Sequence, residues 1–308
     1  MASITTGLTN LMSIYYDKVF LDRAEEMMVY DVGAQKKAHP TNSGKTVYFN
    51  RFSPLAKATT PLTEATTPSS VDMSTTIVSA TISEYGTYTK AGSLFSMTSI
   101  DENLKEHTEV MGQNAGETLD TLIAAELSAN ATEQRANGKA ALSAIATSDT
   151  LDGAEIRKAV KTLKKNKAKK FENGLFKGIV PVSSEYDLRG DSEWLDAHRY
   201  VTPENIKNGQ LGKLHGVEFY ETNNEVVQTD AGASNAEVYS TFIFGKNAYG
   251  TLRLEGQPEK RIYVKQPGAQ DTSNPIDMYS TVGWKSAFVA KILNSNWVIE
   301  ILAGSQGD

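Results

Sequence analysis

Apolar positions along this chain follow a helical period in some stretches and a strand-like composition in others. From Leu11 to Tyr30, the positions Met12, Tyr15, Tyr16, Val19, Phe20, Arg23 and Met27 recur at three- and four-residue spacing. That spacing predicts an amphipathic helix, closed by Asp31-Val32-Gly33. Its stripe is wide, so it must dock, either on the chain's own core or as an arm on a neighbouring molecule. Thr46–Phe52 and Thr76–Thr89 are dominated by β-branched and aromatic residues and predict two strands. A long helix then opens where Ser99 and Glu102 have the spacing of a capping box. Leu104, Met111, Ala115, Leu119, Leu122, Ile123 and Leu127 mark one face of it to Asn130, a length of about 40 Å. Gly112 and Gly116, one turn apart on this helix, leave room for another backbone to come close.

Ala131–Asp149 reads as a connection, and Asp152 to Lys169 as a second amphipathic helix with Ile156, Val160 and Leu163 inward. Its other face carries Arg157, Lys158, Lys161, Lys164, Lys165 and Lys167, with Lys169 and Lys170 following. Such a run is either a solvated helix face, with its late cations favoured by the helix dipole, or a nucleic-acid surface. No aromatic residues interleave to stack bases. Further strands are expected at Phe176–Val182, Val217–Tyr220, Val238–Phe244, Arg261–Val264, Met278–Leu293 and Trp297–Leu302, with short helices near 184–188 and 192–198. The whole is an α+β chain with much antiparallel pairing.

Between the first two strands lies a segment that fits neither period. Residues 54–75 contain Pro54, Pro61 and Pro68, and their larger apolar residues are Leu55, Leu62, Val71 and Met73. Proline fixes φ and removes a backbone donor, so the segment cannot sit inside a helix or a sheet. Connections longer than about 12–15 residues without structure are uncommon in compact domains. The segment is therefore either a projecting arm that becomes ordered on another molecule or a mobile surface loop.

With 308 residues, 40% hydrophobic and 22% charged, the chain has ordinary globular composition and room for one large or two intimate domains. A net charge of -6 argues against wholesale nucleic-acid binding; it suits a wall that encloses nucleic acid without adhering to it, and equally an acidic soluble enzyme. Zero cysteines exclude disulfides and thiolate sites. Met1–Gly7 lacks the pattern of a secretion signal, and no apolar run is long enough to span a membrane. Gly44-Lys45-Thr46 resembles the tail of a phosphate-binding loop, but His39 stands where its first glycine belongs and a strand follows. His39, His107, His198 and His215 are scattered, and no Gly-x-Ser-x-Gly elbow occurs. No catalytic, cofactor-binding or metal-ligating residue is assigned.

Several runs resemble the tailed-bacteriophage major capsid (coat) proteins, in the branch named for the coliphage N-four. They are Tyr15-Tyr16-Asp17-Lys18 with Leu21-x-Arg23-Ala24, and Gly44-Lys45-Thr46-Val47-x-Phe49-x-Arg51-Phe52-x-Pro54-Leu55. Thr60-Pro61-Leu62-Thr63-Glu64, Thr67-Pro68, Tyr85-Gly86 and Gly116-x-x-Leu119-Asp120 follow in order. Ala65 departs from the glycine expected in relatives. The likeness is close over residues 9–125 and general in layout beyond.

The resemblance implies a coat fold of the Hong Kong ninety-seven type. Its parts would be an amino-terminal arm and helix (1–44), an extended β-hairpin loop (45–91), a peripheral domain with a long spine helix (92–149 and 259–292) and an axial domain (150–258 and 293–308). About 44 residues precede the arm, few for the long scaffolding segment that some relatives carry and cut away, which puts built-in scaffolding in doubt. The implied function is self-assembly into hexamers and pentamers of an icosahedral head around phage double-stranded DNA, without sequence-specific binding. Leu55, Leu62 and Met73 would be buried on a neighbouring subunit, with Arg51, Lys57 and Glu64 in polar contact. Phe52, Pro54, Pro61, Tyr15 and Tyr16 complete the expected interface. Portal and scaffolding or decoration proteins are the further partners, the virion is the location, and assembly takes place in the host cytoplasm. An encapsulin-like compartment, and an enzyme with 54–75 as an active-site lid, are the alternatives.

Overall fold

The structure, a computed structural model, describes residues 16–40, 44–52, 55–64, 66–93, 103–198, 210–254, 261–265, 274–276 and 278–307. Tyr15, Pro54, Ala65 and the Ser99–Glu102 pair lie outside the described residues.

The organising element is a 28-residue helix, α2 (Asn103–Asn130). Met111, Ala115, Leu119, Ile123, Ala124 and Leu127 are buried along it, matching the stripe read from the sequence. The first helix, α1 (16–26), lies against α2. A Cβ on Gly112 would fall 2.8 Å from the Phe20 carbonyl oxygen, and one on Gly116 would fall 2.5 Å from that of Ala24. The two glycines thus permit an approach that side chains would block. Phe20 and Ala24 are buried by it, and Phe20 joins Met111, Ala115, Ile262, Val282 and Trp284 in one cluster. The described part of α1 therefore docks on the chain's own core.

Three sheets surround this axis. The first is antiparallel, in the order β12 (Arg261–Lys265), β13 (Tyr279–Phe288), β4 (Ser83–Gly92). Its inner face covers α2, and Trp284 Nε1 donates to Asn114 Oδ1 at 2.9 Å. A second three-stranded sheet runs β1 (Gln35–His39), β11 (Tyr249–Leu254), β14 (Ala290–Ile292). The third has seven strands. Its main path is β5 (Thr132–Arg135), β15 (Val298–Ala303), β10 (Val238–Phe244), β6 (Phe176–Pro181), β8 (Val217–Thr222), β7 (Gln210–Leu214), and β9 (Val227–Gln228) pairs with β10. β10 and β15 are buried along their whole lengths. Helices α3 (Gly153–Lys165), α4 (Val182–Gly190) and α5 (Ser192–His198) belong to this part of the chain. Ile156, Val160 and Leu163 of α3 enter its core with Phe176, Val180, Phe219 and Ile301. The Asp152 side chain caps α3 by accepting from Glu155 N at 2.8 Å.

Two runs expected as single strands are each divided. Thr76–Thr89 breaks at Ile82 into β3 (Thr75–Thr81) and β4, and Met278–Leu293 breaks at Val289 into β13 and β14. In both cases the halves join different sheets. Ile82 N leaves the ladder to donate to Lys45 O at 2.9 Å. Ala131–Asp149, expected as a connection, contains β5, which pairs in parallel with β15.

Candidate subunit interface

β2 (Thr46–Phe52) and β3 form a two-stranded ribbon with seven residue pairs, from Thr46↔Thr81 to Phe52↔Thr75. Its base is fixed. Val47, Phe49 and Ala80 are buried with Leu252 of β11, and Val78, Ile82, Val289 and Leu293 pack around them. Lys37 of β1 reinforces this: Nζ donates to Tyr48 O at 2.7 Å and lies 4.9 Å from the centre of the Phe49 ring. Beyond Phe49 the outward half of β2 and the whole described tip are exposed. Residues 55–64 and 66–74 carry no strand or helix. Phe52 is 62% exposed, Leu55 54%, Leu62 77%, Val71 69% and Met73 60%.

Of the residues expected at the interface, Phe52, Leu55, Lys57, Pro61, Leu62, Glu64 and Met73 therefore share one projecting segment. Arg51 differs: Nη1 already has a partner in its own chain, donating to Leu293 O at 3.4 Å. Tyr16 belongs to α1 and is half-buried.

The sequence did not reveal a second surface, the outer face of the β12–β13–β4 sheet. Tyr88, Gly283 and Tyr263 stand in one row across it. Gly283 has no side chain to fill the middle, where a Cβ would come within 2.6 Å of Tyr88 Cβ. The result is a groove of about 610 Å³, lined by Tyr88, Lys90, Tyr263, Tyr279, Thr281 and Lys285 among others. Lys90 Nζ lies 4.6 Å from the Tyr279 ring centre, and Lys285 pairs with Glu84 at 2.9 Å. Tyr88 is 63% exposed. The residues of this groove come from strands nearly two hundred positions apart, so no local pattern could assemble it.

A different groove, of about 620 Å³, is lined by Glu26, Met27, Val29, Glu117, Thr121, Glu221, Thr222, Asn223 and Asn224. Beneath it Asp120 is buried and ties three elements together. Oδ1 accepts from Tyr30 N at 2.7 Å, and Oδ2 accepts from Asn224 Nδ2 at 3.3 Å. Burial pushes the Asp120 carboxyl up to about 6, although both hydrogen bonds act in the opposite direction. No described residue of 55–74 lines either groove, so the described tip does not cover them as a lid would. Among the described residues, no group of three or more His, Asp or Glu side chains could hold a metal ion. Glu193 lies 2.9 Å from His215 Nε2 and 3.0 Å from Arg157 Nη2. No described helix is long and apolar enough to cross a membrane.

No protein-family model matches the sequence, and no curated protein matches it. Solved structures do match. The capsid of Ralstonia phage GP4 superposes with a TM-score of 0.70 at 15% identity, covering 90% of this chain and 88% of that one. The cyanophage Pam1 capsid gives 0.64 at 15% identity, with 93% of each chain covered. A virus-like particle from Pyrococcus furiosus gives 0.53 at 10% identity, covering 92% and 96%. The chain thus has the fold of tailed-phage capsid proteins, the Hong Kong ninety-seven type.

Proposed function

We propose that this chain is a major capsid protein, whose copies assemble as hexamers and pentamers into an icosahedral head around phage double-stranded DNA. The observation that carries this reading is the ribbon, buried at its base and exposed over its entire described tip. A two-stranded ribbon is marginal in water, and this one projects Phe52, Leu55, Leu62, Val71 and Met73 into solvent. Burying such a side chain contributes roughly 1.5–3 kcal/mol. Ordering the tip backbone costs roughly 1–2 kcal/mol per residue. One docked tip therefore contributes little net free energy, and closure depends on many reinforcing contacts around a ring.

The Tyr88–Tyr263–Tyr279 groove suits the tip of another copy. Proline-rich extended segments pack against aromatic-lined grooves at low entropic cost. Lys90 and Lys265, in one row with Thr281 on this face, complement Glu64 and Asp72 on the tip. Residues 1–44 would form the amino-terminal arm and helix, and 150–258 with 293–308 the axial domain. The peripheral domain would take 92–149 and 259–292. The pairing of β4 with β13 supports adding β4 to it and ending the loop at Ile82. The virion is the implied location, with assembly in the host cytoplasm. A portal and scaffolding or decoration proteins are the implied partners, and catalysis has no part in the role.

A closed shell that holds other cargo is the second reading, favoured by the likeness to the virus-like particle. Electron microscopy and sedimentation of the concentrated full chain test both. Closed particles are expected, and their nucleic-acid content separates the two readings. A chain that stays monomeric at every concentration would overturn them.

A further inference from the structure

We infer that the lysine face of α3 and the turn after it form a binding surface for the phosphate backbone of duplex nucleic acid. Residues 157–170 hold eight cations and no carboxylate, in a chain of net charge -6. All eight are exposed. Three of them have partners. Arg157 pairs with Glu193 at 3.0 Å, Lys158 with Glu155 at 3.4 Å, and Lys170 lies 5.7 Å from the centre of the Phe176 ring. Lys161, Lys164, Lys165, Lys167 and Lys169 have no carboxylate partner among the described residues.

The helix dipole accounts for cations in the last turn only. It does not account for Arg157, Lys158 and Lys161. Lys161 has like-charged neighbours at three- or four-residue spacing on both sides, an arrangement that is unfavourable on an isolated helix. An anion laid along the face relieves it.

The face is also held in shape. After α3, Asn166 Nδ2 donates to Asn296 O at 3.0 Å and Trp297 Nε1 donates to Asn166 O at 3.2 Å. Ala168 N donates to Leu163 O at 2.9 Å, and Lys246 N to Lys169 O at 2.8 Å. Gly245 makes this last approach possible, since a Cβ there would fall 2.6 Å from Lys169 O. The lysines that follow the helix thus stand on a pinned turn. Arg157, Lys161, Lys164 and His215 border a groove of about 330 Å³, and Glu193 contacts both Arg157 and His215.

Two features select the partner. The apolar residues of α3, Ile156, Ala159, Val160 and Leu163, are buried in the core, so the helix cannot insert them into a membrane as interfacial helices do. The strip has no aromatic side chain on which a base could stack. What remains is charge at a repeat of about 6 Å for every four residues, suited to phosphates without base readout. Duplex binding by this face stands without the shell reading; in a shell that turned the face inward, weak contacts repeated over many copies would hold the outermost DNA layer.

The test uses the full chain below its assembly concentration and a short DNA duplex, with fluorescence anisotropy as the readout. Five lysines contacting phosphates predict that affinity falls roughly 500-fold between 50 and 200 mM salt. Lys161→Gln, Lys164→Gln, Lys165→Gln and Lys169→Gln together should weaken binding at low salt and cut that dependence to roughly threefold, with circular dichroism unchanged. The corresponding Lys→Arg variant should keep both affinity and slope. Parental binding by the Gln variant would overturn the inference. So would polyglutamate competing as well as duplex, or phosphatidylserine vesicles binding where duplex does not. Particle formation is scored in parallel. Salt-dependent binding without particles would fail the shell reading alone, and particles with binding indifferent to the Gln changes would fail only this inference.

Discussion

The carbonyl oxygen of Ala24 occupies the place where a side chain on Gly116 would begin, 2.5 Å from an ideal Cβ. The oxygen belongs to one helix backbone and the Cβ position is fixed by the other, so neither can turn aside. Gly116→Ala gains about 1 kcal/mol of helix propensity. It must also push α1 off α2, at about 1–3 kcal/mol or more. Net destabilisation is expected in urea unfolding, with Phe20 becoming more accessible. Gly112→Ala, with its nearest contact at 2.8 Å, should act in the same direction and less strongly.

The ribbon predicts a separation between folding and assembly. Leu62→Glu with Met73→Glu changes two exposed residues of the tip and should leave stability within about 0.5 kcal/mol. Sedimentation should show loss of particles. Phe49→Ala acts at the buried base and should cost about 3–5 kcal/mol in unfolding experiments.

The groove that we propose receives the tip gives a complementary expectation. Tyr88→Ser with Tyr263→Ser removes the rings on either side of Gly283 while leaving the inward residues Val282, Trp284 and Ile262 in place. Thermal unfolding should shift little, and particles should be lost or become unstable to dilution.

Asp120 predicts a pH dependence. Its carboxyl, raised from 3.8 to about 6 chiefly by burial, binds a proton more readily in the folded chain. The associated stability is present in full below pH 4 and is lost as pH rises through 6. Between pH 5 and 7 this group alone should lower stability by about 1 kcal/mol. Glu185, also raised to about 6 by burial and by Glu221, adds a drop of the same sign. Asp120→Asn keeps an acceptor for Tyr30 N and should reduce the slope, read from denaturant midpoints at the two pH values.

How legible this was depended on what each residue faces. The α2 stripe could be read because one helix face meets a single core, and Met111 to Leu127 record it at every turn. β5, with the sequence Thr132-Glu133-Gln134-Arg135, lies at a sheet edge and carries no alternation of apolar residues. β1, Gln35-Lys36-Lys37-Ala38-His39, is an edge strand of the same kind. The breaks at Ile82 and Val289 were hidden because both halves of each run are strand-like, and only the choice of partner divides them. Proline spacing made the projecting tip readable. Its proposed receiving groove was not, because Tyr88 and Tyr263 become neighbours only after β13 has come between them.

β3 leads into β4 across a single residue, Ile82. Beyond Ile82 the chain enters a ladder of ten consecutive pairs with β13, from Ser83↔Phe288 to Gly92↔Tyr279. Tension drawn through Ile82 in line with β4 would be carried lengthwise by that strand. The rungs of that ladder are strained in shear, all together, and are not peeled open one after another. A container pressurised from within would pull its walls in tension, and this joint would resist as a lap seam does.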